Sequence, residues 1–317
     1  MMRIRRYLPL LGVALSGAVA AQPALEVLPV QGNVYLVAGP HGNSAVQVGH
    51  EAVVVVDTQT PDVTGDFLDA IGELSAEPIR HVIVTSASVE HTGGNAAVSQ
   101  AGTYVRLIDS LDPRGLEDSA SIISHVNVLA SMSTPTGEAE ETDPASWPTD
   151  TYFTDQWALY VNNEGIQLFH VPAAYSDGDT IVFFRRSDVV SAGDIFNTDR
   201  YPNFDAAQGG SISGVIEGLN LILDLAIAGE NQTGGTIVIP GHGRLGDETD
   251  VINYRDMATI IRGRIQAMID EGMKLDEVLA AQPSRDYDAQ YAGNPDSWTG
   301  DKLVEEIYMD LTGREQQ

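Results

Sequence analysis

The sequence predicts an α/β (α+β) fold, a four-layer αββα sandwich in which two β-sheets pack face to face between outer helices. Short β-rich segments, separated by glycine-containing turns, alternate with stretches that carry apolar residues at helical spacing. This order of β-meander, helix, strand and helix occurs twice, and no proline- or glycine-rich linker divides the two halves. Because the strands are apolar on both faces, each sheet must be covered on both sides, which predicts the four layers.

Composition limits the functional classes to which the chain can belong. It has 317 residues, of which 43% are hydrophobic, so it can bury a sizeable core and is not a disordered protein. It contains no cysteine, which excludes a disulfide scaffold, a cysteine-ligated zinc ribbon and a thiol nucleophile. Its 45 acidic residues against 17 basic ones give a net charge of -28. Proteins that bind nucleic acid through its phosphates carry the opposite charge, so we expect no nucleic-acid partner.

The first 21 residues have the composition of a secretory signal peptide. Arginines near the N-terminus precede a short apolar run over 8–20, and small residues follow at the expected cleavage position. The run is too short and wrongly flanked to span a membrane. We therefore expect export to the periplasm or the medium, cleavage near Ala20 to Gln22, a single domain over 22–317 and no stable membrane anchor.

The first half of the chain is predicted to contain a meander of four strands, a helix, a fifth strand and a second helix. Thr60-Pro61-Asp62 marks the start of the first helix, because proline is favoured at the first helical position. Apolar residues at helical spacing follow it, and an apolar run then gives the fifth strand. The predicted strands cover 25–30, 34–37, 44–48, 52–57 and 79–85, and the second helix covers 120–132.

The second half begins after a stretch rich in threonine, proline and acidic residues, 134–150, which we predict to be a surface loop. A hairpin of two strands follows, at 158–161 and 166–171, joined by an asparagine- and glycine-containing turn. The remaining predicted elements are strands at 180–184, 189–192 and 236–239, helices at 212–226 and 254–268, which Gly229 and Gly272 end, and two shorter helices.

Candidate metal-binding side chains follow three of the predicted strands. Glu90 and His91 come after the fifth strand, Asp194 after a strand of the second half, and His242 after the last strand. Loops at strand ends often carry function, and the adjacent glycines allow the backbone to approach closely. Two imidazoles and two carboxylates suit zinc, iron or manganese. A lone His-Gly turn is more often structural, so spacing alone leaves a structural role open.

These segments resemble the metallo-β-lactamase fold superfamily, whose motif His-x-His-x-Asp-His-x-Gly-Gly follows a strand. The corresponding stretch here reads Ser-Ala-Ser-Val-Glu-His-Thr-Gly-Gly, over 86–94. The resemblance covers most of the chain beyond the signal peptide. It implies an αββα fold like that of glyoxalase II, with the site at one edge of the two sheets. The other segments that carry it are Asn43-Ser44-Ala45, 53–57, 174–180, Gly193-Asp194 and 240–243.

The resemblance implies one metal site in place of the two that are typical of the family. The three histidines of the first site fall on Ser86, Ser88 and Tyr175, whose protonated hydroxyl groups are poor metal ligands. The second site is retained, with a glutamate in place of its aspartate and with the bridging aspartate also present. We therefore expect one divalent metal, with zinc first and iron or manganese as alternatives. The retained ligands are Glu90, His91, Asp194 and His242.

The resemblance further implies a hydrolase that uses metal-activated water on a small molecule with an amide, lactam, lactone or ester bond, and the signal peptide makes it an exported one. Glu90 would bind the metal or act as a general base on water, because its arm is longer than that of aspartate. Tyr175 would donate a hydrogen bond to the developing oxyanion. The alternative is a metal-free pseudoenzyme or ligand-binding protein, since a fold alone does not fix function. Asp57 and Asp179 are expected to hydrogen-bond buried backbone instead of binding metal.

Overall fold

The computed structural model describes residues 25–103, 119–134, 142–226, 234–292 and 298–313. The predicted signal peptide, its cleavage position and Gly229 lie outside these residues. Within the described ranges, no helix combines the length and the apolar character that crossing a bilayer requires.

The first half of the chain forms a seven-stranded sheet whose strands lie in sequence order. Its first four strands form an antiparallel meander, and the fourth to seventh strands run parallel. Four consecutive buried valines make the fourth strand, as expected where helices and a second sheet cover both faces. The strands are β1 (Glu26–Gln31), β2 (Val34–Ala38), β3 (Asn43–Val48), β4 (Val53–Val56), β5 (Ile79–Ile83), β6 (Ser121–His125) and β7 (Asp150–Tyr152).

The second half forms a five-stranded sheet in which the strands also lie side by side in sequence order. The first four strands along the chain are antiparallel to their neighbours, whereas the fourth and fifth strands run parallel. A two-residue turn joins the first hairpin, and both of its residues, Asn162 and Asn163, have positive φ angles that asparagine tolerates. The strands are β8 (Gln156–Val161), β9 (Glu164–Val171), β10 (Asp179–Phe184), β11 (Val189–Ser191) and β12 (Ile237–Ile239).

Helices lie on the outer face of each sheet. They are α1 (Thr64–Leu74), α2 (Val89–Thr92), α3 (Asn95–Ala101), α4 (Val126–Ser133), α5 (Ile212–Leu225), α6 (Glu248–Asp270), α7 (Leu275–Ala281), α8 (Asp288–Tyr291) and α9 (Gly300–Thr312). The first sheet carries α1, α3 and α4, whereas α5, α6 and α9 cover the second.

Three apolar clusters fill the spaces between the four layers. The central cluster joins the two sheets and contains Ile83 from the first and Phe184 from the second. Phe67 of α1 packs on the outer face of the first sheet, and Leu219 of α5 packs on the outer face of the second. The predicted αββα sandwich is therefore confirmed.

The predicted helix over 120–132 is wrong in its first part. Ser121–His125 forms β6, which pairs in parallel with β5, and only Val126–Ser133 is helical. All five residues of β6 are buried, and its two adjacent isoleucines favour a strand where a neighbouring strand is available. Of the predicted surface loop over 134–150, residues 135–141 lie outside the described part of the chain, and 142–149 contain no strand. Its last residue, Asp150, begins β7, which pairs with β6. Pairing with a neighbouring strand makes both β6 and β7 strands, and local periodicity in the sequence does not show which strands are neighbours.

Candidate metal centre

The candidate site lies at one edge of the two sheets, where β4, β5, β11 and β12 end. His91 lies in α2, a one-turn helix after β5 that Ser88 caps. Asp194 lies in a short 3₁₀ turn after β11, and His242 follows β12. Because β11 and β12 run parallel, their carboxyl ends deliver these two side chains to the same edge.

The loops after β11 and β12 approach each other closely through two glycines. The Gly241 N–H donates to the carbonyl of Gly193 at 2.8 Å. A Cβ atom at Gly241 would lie 2.7 Å from that carbonyl oxygen, and one at Gly193 would lie 2.6 Å from the Thr85 hydroxyl. Gly193 also has a φ of +52°, in the left-handed region that favours glycine. These two glycines therefore allow Asp194 and His242 to meet.

His91 is completely buried, and Asp57 at the end of β4 fixes its ring. Its Nδ1 lies 2.8 Å from Asp57 Oδ2, and that oxygen also accepts from the Thr85 hydroxyl at 2.7 Å. The second oxygen of Asp57 accepts from the Thr85 N–H at 2.8 Å. A carboxylate that accepts from Nδ1 leaves Nε2 free to be a ligand. The prediction that Asp57 hydrogen-bonds buried backbone is therefore confirmed.

Asp194 lies between the two histidines. Its Oδ2 is 3.0 Å from His91 Nε2, and its Oδ1 is 3.2 Å from His242 Nε2. One ligand atom from each of these three buried residues lies within 4.8 Å of the other two. Glu90 is placed differently, because its side chain is 35% exposed. Its Oε2 lies 3.1 Å from His242 Nε2. The structure thus brings the four predicted ligands together as a compact buried group of three with Glu90 at its open side.

The pKa of each of the three buried residues depends on the charges of its neighbours in the site. Burial opposes the charged form of His91, but the carboxylates of Asp194 and Asp57 outweigh it and hold its pKa well above the usual range. Burial similarly opposes charge on His242, whereas Asp194 and Glu90 raise its pKa. Burial would raise the pKa of Asp194, but the two histidines lower it below its usual value. The site is therefore arranged to hold positive charge among its carboxylates.

The residues present fit a divalent metal. His91 Nε2 and Asp194 Oδ1 are buried, and neither has a hydrogen-bond partner within the described part of the chain, although each lies close to a side chain of opposite charge. Buried polar atoms are nearly always hydrogen-bonded, so such atoms need an explanation. Imidazole nitrogen and carboxylate oxygen are the donors that zinc, iron and manganese accept in proteins. Two imidazole nitrogens and a carboxylate that converge in this way form the donor set of a metal site.

Hydroxyl groups occupy the positions that correspond to the first metal site of the family. Ser86 is buried, and its Oγ accepts from the Ser88 N–H at 3.4 Å. Tyr175 hydrogen-bonds with Ser88, and burial, followed by the charges of Asp194 and Asp205, raises the pKa of its phenol. Its hydroxyl therefore stays protonated at neutral pH, as a hydrogen-bond donor and not a metal ligand.

Asn43 holds the His242 loop, a role that sequence reasoning missed. Its side-chain Nδ2 donates to the carbonyls of Pro240 at 3.0 Å and Gly243 at 2.9 Å, on either side of His242. Its backbone N–H donates to the carbonyl of Gly241 at 2.9 Å. Asn43 begins β3 in the first sheet, so it joins the two sheets beside the site. Nothing in the sequence pairs it with a loop about 200 residues away, and only the packing of the sheets brings them together.

The loop that carries Tyr175 is fixed to α4 and to the second sheet by Asn127 and His170, which the sequence did not single out, and by Asp179. The Asn127 amide, at the start of α4, donates to the side chain and the carbonyl of Asp177, at 2.8 and 3.0 Å. His170 of β9 donates through Nε2 to the same carbonyl at 2.8 Å. Asp179 accepts from the Ser176 N–H at 2.8 Å, which confirms its predicted role as a backbone acceptor.

Comparison with known proteins decides the family. A model of the metallo-beta-lactamase superfamily matches residues 27–242, from β1 to the last predicted ligand. The chain belongs to this superfamily. Metallo-beta-lactamase superfamily proteins generally bind divalent metals, in agreement with the donor set of His91, Asp194 and His242. Among curated proteins, no significant match is found.

Solved structures show the metallo-beta-lactamase fold at low sequence identity. The sec-alkylsulfatase Pisa1 from Pseudomonas sp. is similar with a TM-score of 0.65 and 14% identity, over 92% of this chain and 51% of its own. This chain therefore spans about half the length of that sulfatase. A metallo-beta-lactamase from Pontibacter korlensis has a TM-score of 0.56 and 14% identity, over 74% of this chain and 99% of its own. The DIM-1 metallo-beta-lactamase has a TM-score of 0.56 and 16% identity, over 75% of this chain and 98% of its own.

Proposed function

We propose that this chain is an exported hydrolase that holds one divalent metal. His91, Asp194 and His242 would bind the metal, and Glu90 would either complete the ligand set or act as a base beside it. Zinc is the metal that we expect first, and iron and manganese also suit the donors. The substrate class is a small molecule with an amide, lactam, lactone or ester bond.

The observation that carries this proposal is the convergence of buried ligand atoms without hydrogen bonds to satisfy them. The atoms of His91, Asp194 and His242 lie within 4.8 Å of one another, and His91 Nε2 and Asp194 Oδ1 have no hydrogen-bond partner among the described residues. The two atoms lie 3.0 and 3.2 Å from side chains of opposite charge, so without a metal they are balanced only if His91 and His242 are both protonated. A bound cation would balance the carboxylates instead and would let both rings bind it in their neutral form.

The chain's own residues would divide the hydrolytic work between them. A metal held at this site would act as a Lewis acid that polarises a substrate carbonyl and acidifies water. Glu90 lies at the open side of the group, where its carboxylate can accept a proton from water. Tyr175 keeps its phenol proton and would donate a hydrogen bond to the oxygen on which negative charge develops. Asp57 would orient the His91 ring.

A specific observation also favours the second candidate, a metal-free ligand-binding protein. The positions of three first-site histidines are taken by Ser86, Ser88 and Tyr175. The raised pKa values of His91 and His242 allow both rings to be protonated, so that two imidazolium groups could balance the carboxylates without a metal. The metal content of the purified protein separates the two candidates.

The decisive experiment measures metal in protein purified without a metal-affinity tag, by mass spectrometry of the elements. Roughly one equivalent per chain supports the hydrolase, because one retained site binds one ion. No metal, even after incubation with zinc, iron or manganese, supports the binding protein and overturns the hydrolase.

Chromogenic ester, lactone, lactam and amide substrates, tested with each metal, then define the reaction. Tyr175→Phe should lower kcat and leave the metal content unchanged.

Export is part of this proposal and rests on the first 21 residues alone. Their order of arginines, apolar residues and small residues is that of a signal peptide. Mass spectrometry of the chain, expressed with its own N-terminus in a Gram-negative host, should show a product that begins near Gln22. An intact product in the cytoplasm would contradict export without affecting the metal site.

A further inference from the structure

The two sheets have four edge strands, and three of them are protected against pairing with another chain. An edge strand presents free N–H and C=O groups, which proteins shield with charges, proline, irregular register or shortness. β1 contains Glu26 and Pro29, and its register shifts between Pro29 and Gln31. β7 has three residues and begins with Asp150. β12 has three residues, and Val238 within it already bonds to Gly246.

The fourth edge, β8, lacks every one of these protections. It has six residues, with the sequence QWALYV, and contains neither a charged side chain nor a proline. It pairs with β9 in unbroken register from end to end, without a bulge. No described strand pairs with its other side.

The hydrogen-bond pattern identifies the groups that β8 leaves free. His170 N–H donates to the Asp155 carbonyl at 2.9 Å, so position 155 forms a bonded pair with β9. Bonded and non-bonded pairs alternate along an antiparallel ladder, so positions 157, 159 and 161 also bond to β9. The N–H and C=O groups of Gln156, Ala158 and Tyr160 therefore point to the outer edge, where the Gln156 carbonyl accepts from the Thr154 hydroxyl at 2.7 Å.

We propose that the outer edge of β8 pairs in antiparallel orientation with the same strand of a second copy of this chain. The two five-stranded sheets would then continue as one sheet of ten strands. A twofold axis at Ala158 places Gln156 opposite the partner's Tyr160 and Asp155 opposite the partner's Val161. No carboxylate then faces another carboxylate, as a self-complementary interface requires.

The absence of charge along β8 and its exposed apolar surface make this edge suitable for a second copy. Two copies with a net charge of -28 each repel one another overall, and the repulsion is weakest where carboxylates are absent. The eight residues 156–163 contain no charged side chain. Three of the six exposed large hydrophobic residues of the described chain lie at or just before β8, namely Phe153, Trp157 and Tyr160. Aromatic side chains are enriched at protein interfaces.

Sedimentation velocity over a range of concentrations, in salt that screens the net charge, tests this proposal. The wild-type chain should dimerise. Ala158→Pro removes the outward N–H and leaves the ladder to β9 intact, so it should raise the dissociation constant about tenfold or more, about 1.4 kcal/mol. Ala158→Lys should do the same by placing two like charges together. Ala158→Val keeps the N–H and is the matched control, which should dimerise as the wild type does.

The outcomes are separable even if one variant folds poorly. Far-ultraviolet circular dichroism and thermal unfolding show whether each variant is folded. If Ala158→Pro does not fold, the dissociation constant of Ala158→Lys tests the proposal. A wild-type chain that is monomeric at every concentration overturns the proposal. A dimer that persists in the folded Ala158→Lys variant also overturns it, because the interface must then lie elsewhere. If this edge binds a different protein and not a second copy, the purified wild-type chain will sediment as a monomer, and the proposal is overturned.

Discussion

Asp57 lies directly behind His91, with 2.8 Å between Oδ2 of the carboxylate and Nδ1 of the ring. Asp57 follows β4, whereas His91 lies in the short helix after β5. Since these neighbouring strands run parallel, their ends place the two side chains together. Two hydrogen bonds from Thr85 hold the carboxylate, so the orientation of the ring is set before any ligand arrives.

Asp57→Asn should therefore weaken metal binding about 10- to 100-fold. Asparagine tolerates the positive φ of 63° at this position, so the backbone is preserved. Its amide has one acceptor oxygen in place of two, so it cannot accept from the Thr85 N–H on one side and from His91 Nδ1 on the other. An amide NH₂ turned toward the ring favours the tautomer that carries the proton on Nε2. Competition with a metal-binding dye measures the affinity. Unchanged affinity in the folded variant would show that Asp57 does not orient the ring.

His91→Ala and His242→Ala should each reduce the metal content from about one equivalent to near zero, because each removes one of three buried ligands. Ser86→Ala is the matched control, since it is buried nearby at a position that corresponds to the first metal site. It should leave the metal content unchanged. If Ser86→Ala removes as much metal as His91→Ala, the assignment of the retained site is wrong.

Asn43→Ala should lower both stability and metal affinity, since three hydrogen bonds from Asn43 hold the loop around His242. The two side-chain bonds are lost, and leaving the buried Pro240 carbonyl without this donor costs about 1–3 kcal/mol. Urea unfolding measures the first effect, and dye competition measures the second. Asn33→Ala offers a comparison, because its amide donates to the Val48 carbonyl elsewhere on the same sheet. It should affect stability alone.

Asp179 should make the protein less stable as the pH rises from about 4 to about 8. Burial raises the pKa of its carboxyl group from 3.8 to about 8 in the folded chain. Between these two values the folded state holds a proton that the unfolded state releases, so stability falls by up to about 1.4 kcal/mol per pH unit. Asp179→Asn should remove this part of the slope. Urea unfolding at pH 5 and pH 8 should show a smaller loss in the variant, and equal losses would contradict the assignment.

Salt should stabilise the protein. With 45 acidic and 17 basic residues, the folded chain repels itself, and raising ionic strength from about 0.05 M to about 1 M shortens the screening length to about 3 Å. Exposed ion pairs such as Arg244 with Asp250 weaken in salt, but they are worth little each. The temperature of thermal unfolding should therefore rise with sodium chloride, and potassium chloride should give the same rise. A fall would show that ion pairs dominate over repulsion.

The sequence by itself determined most of the secondary structure and the identity of the candidate ligands. The four valines of β4 and the helical stripe of α5 are local patterns, and local patterns are visible in one dimension. The order of elements gave the four layers. The motif around 86–94 marked Glu90 and His91 through its resemblance to a family.

Only the tertiary structure decided which side chains meet. Ser121–His125 becomes a strand because β5 offers a partner, and Asn43 reaches the His242 loop because the two sheets pack together. The position of Glu90 at the open side of the group of His91, Asp194 and His242 depends on distances of a few ångströms between three different segments. Such distances follow from the packing of residues far apart in the chain, and no local property of the sequence records them.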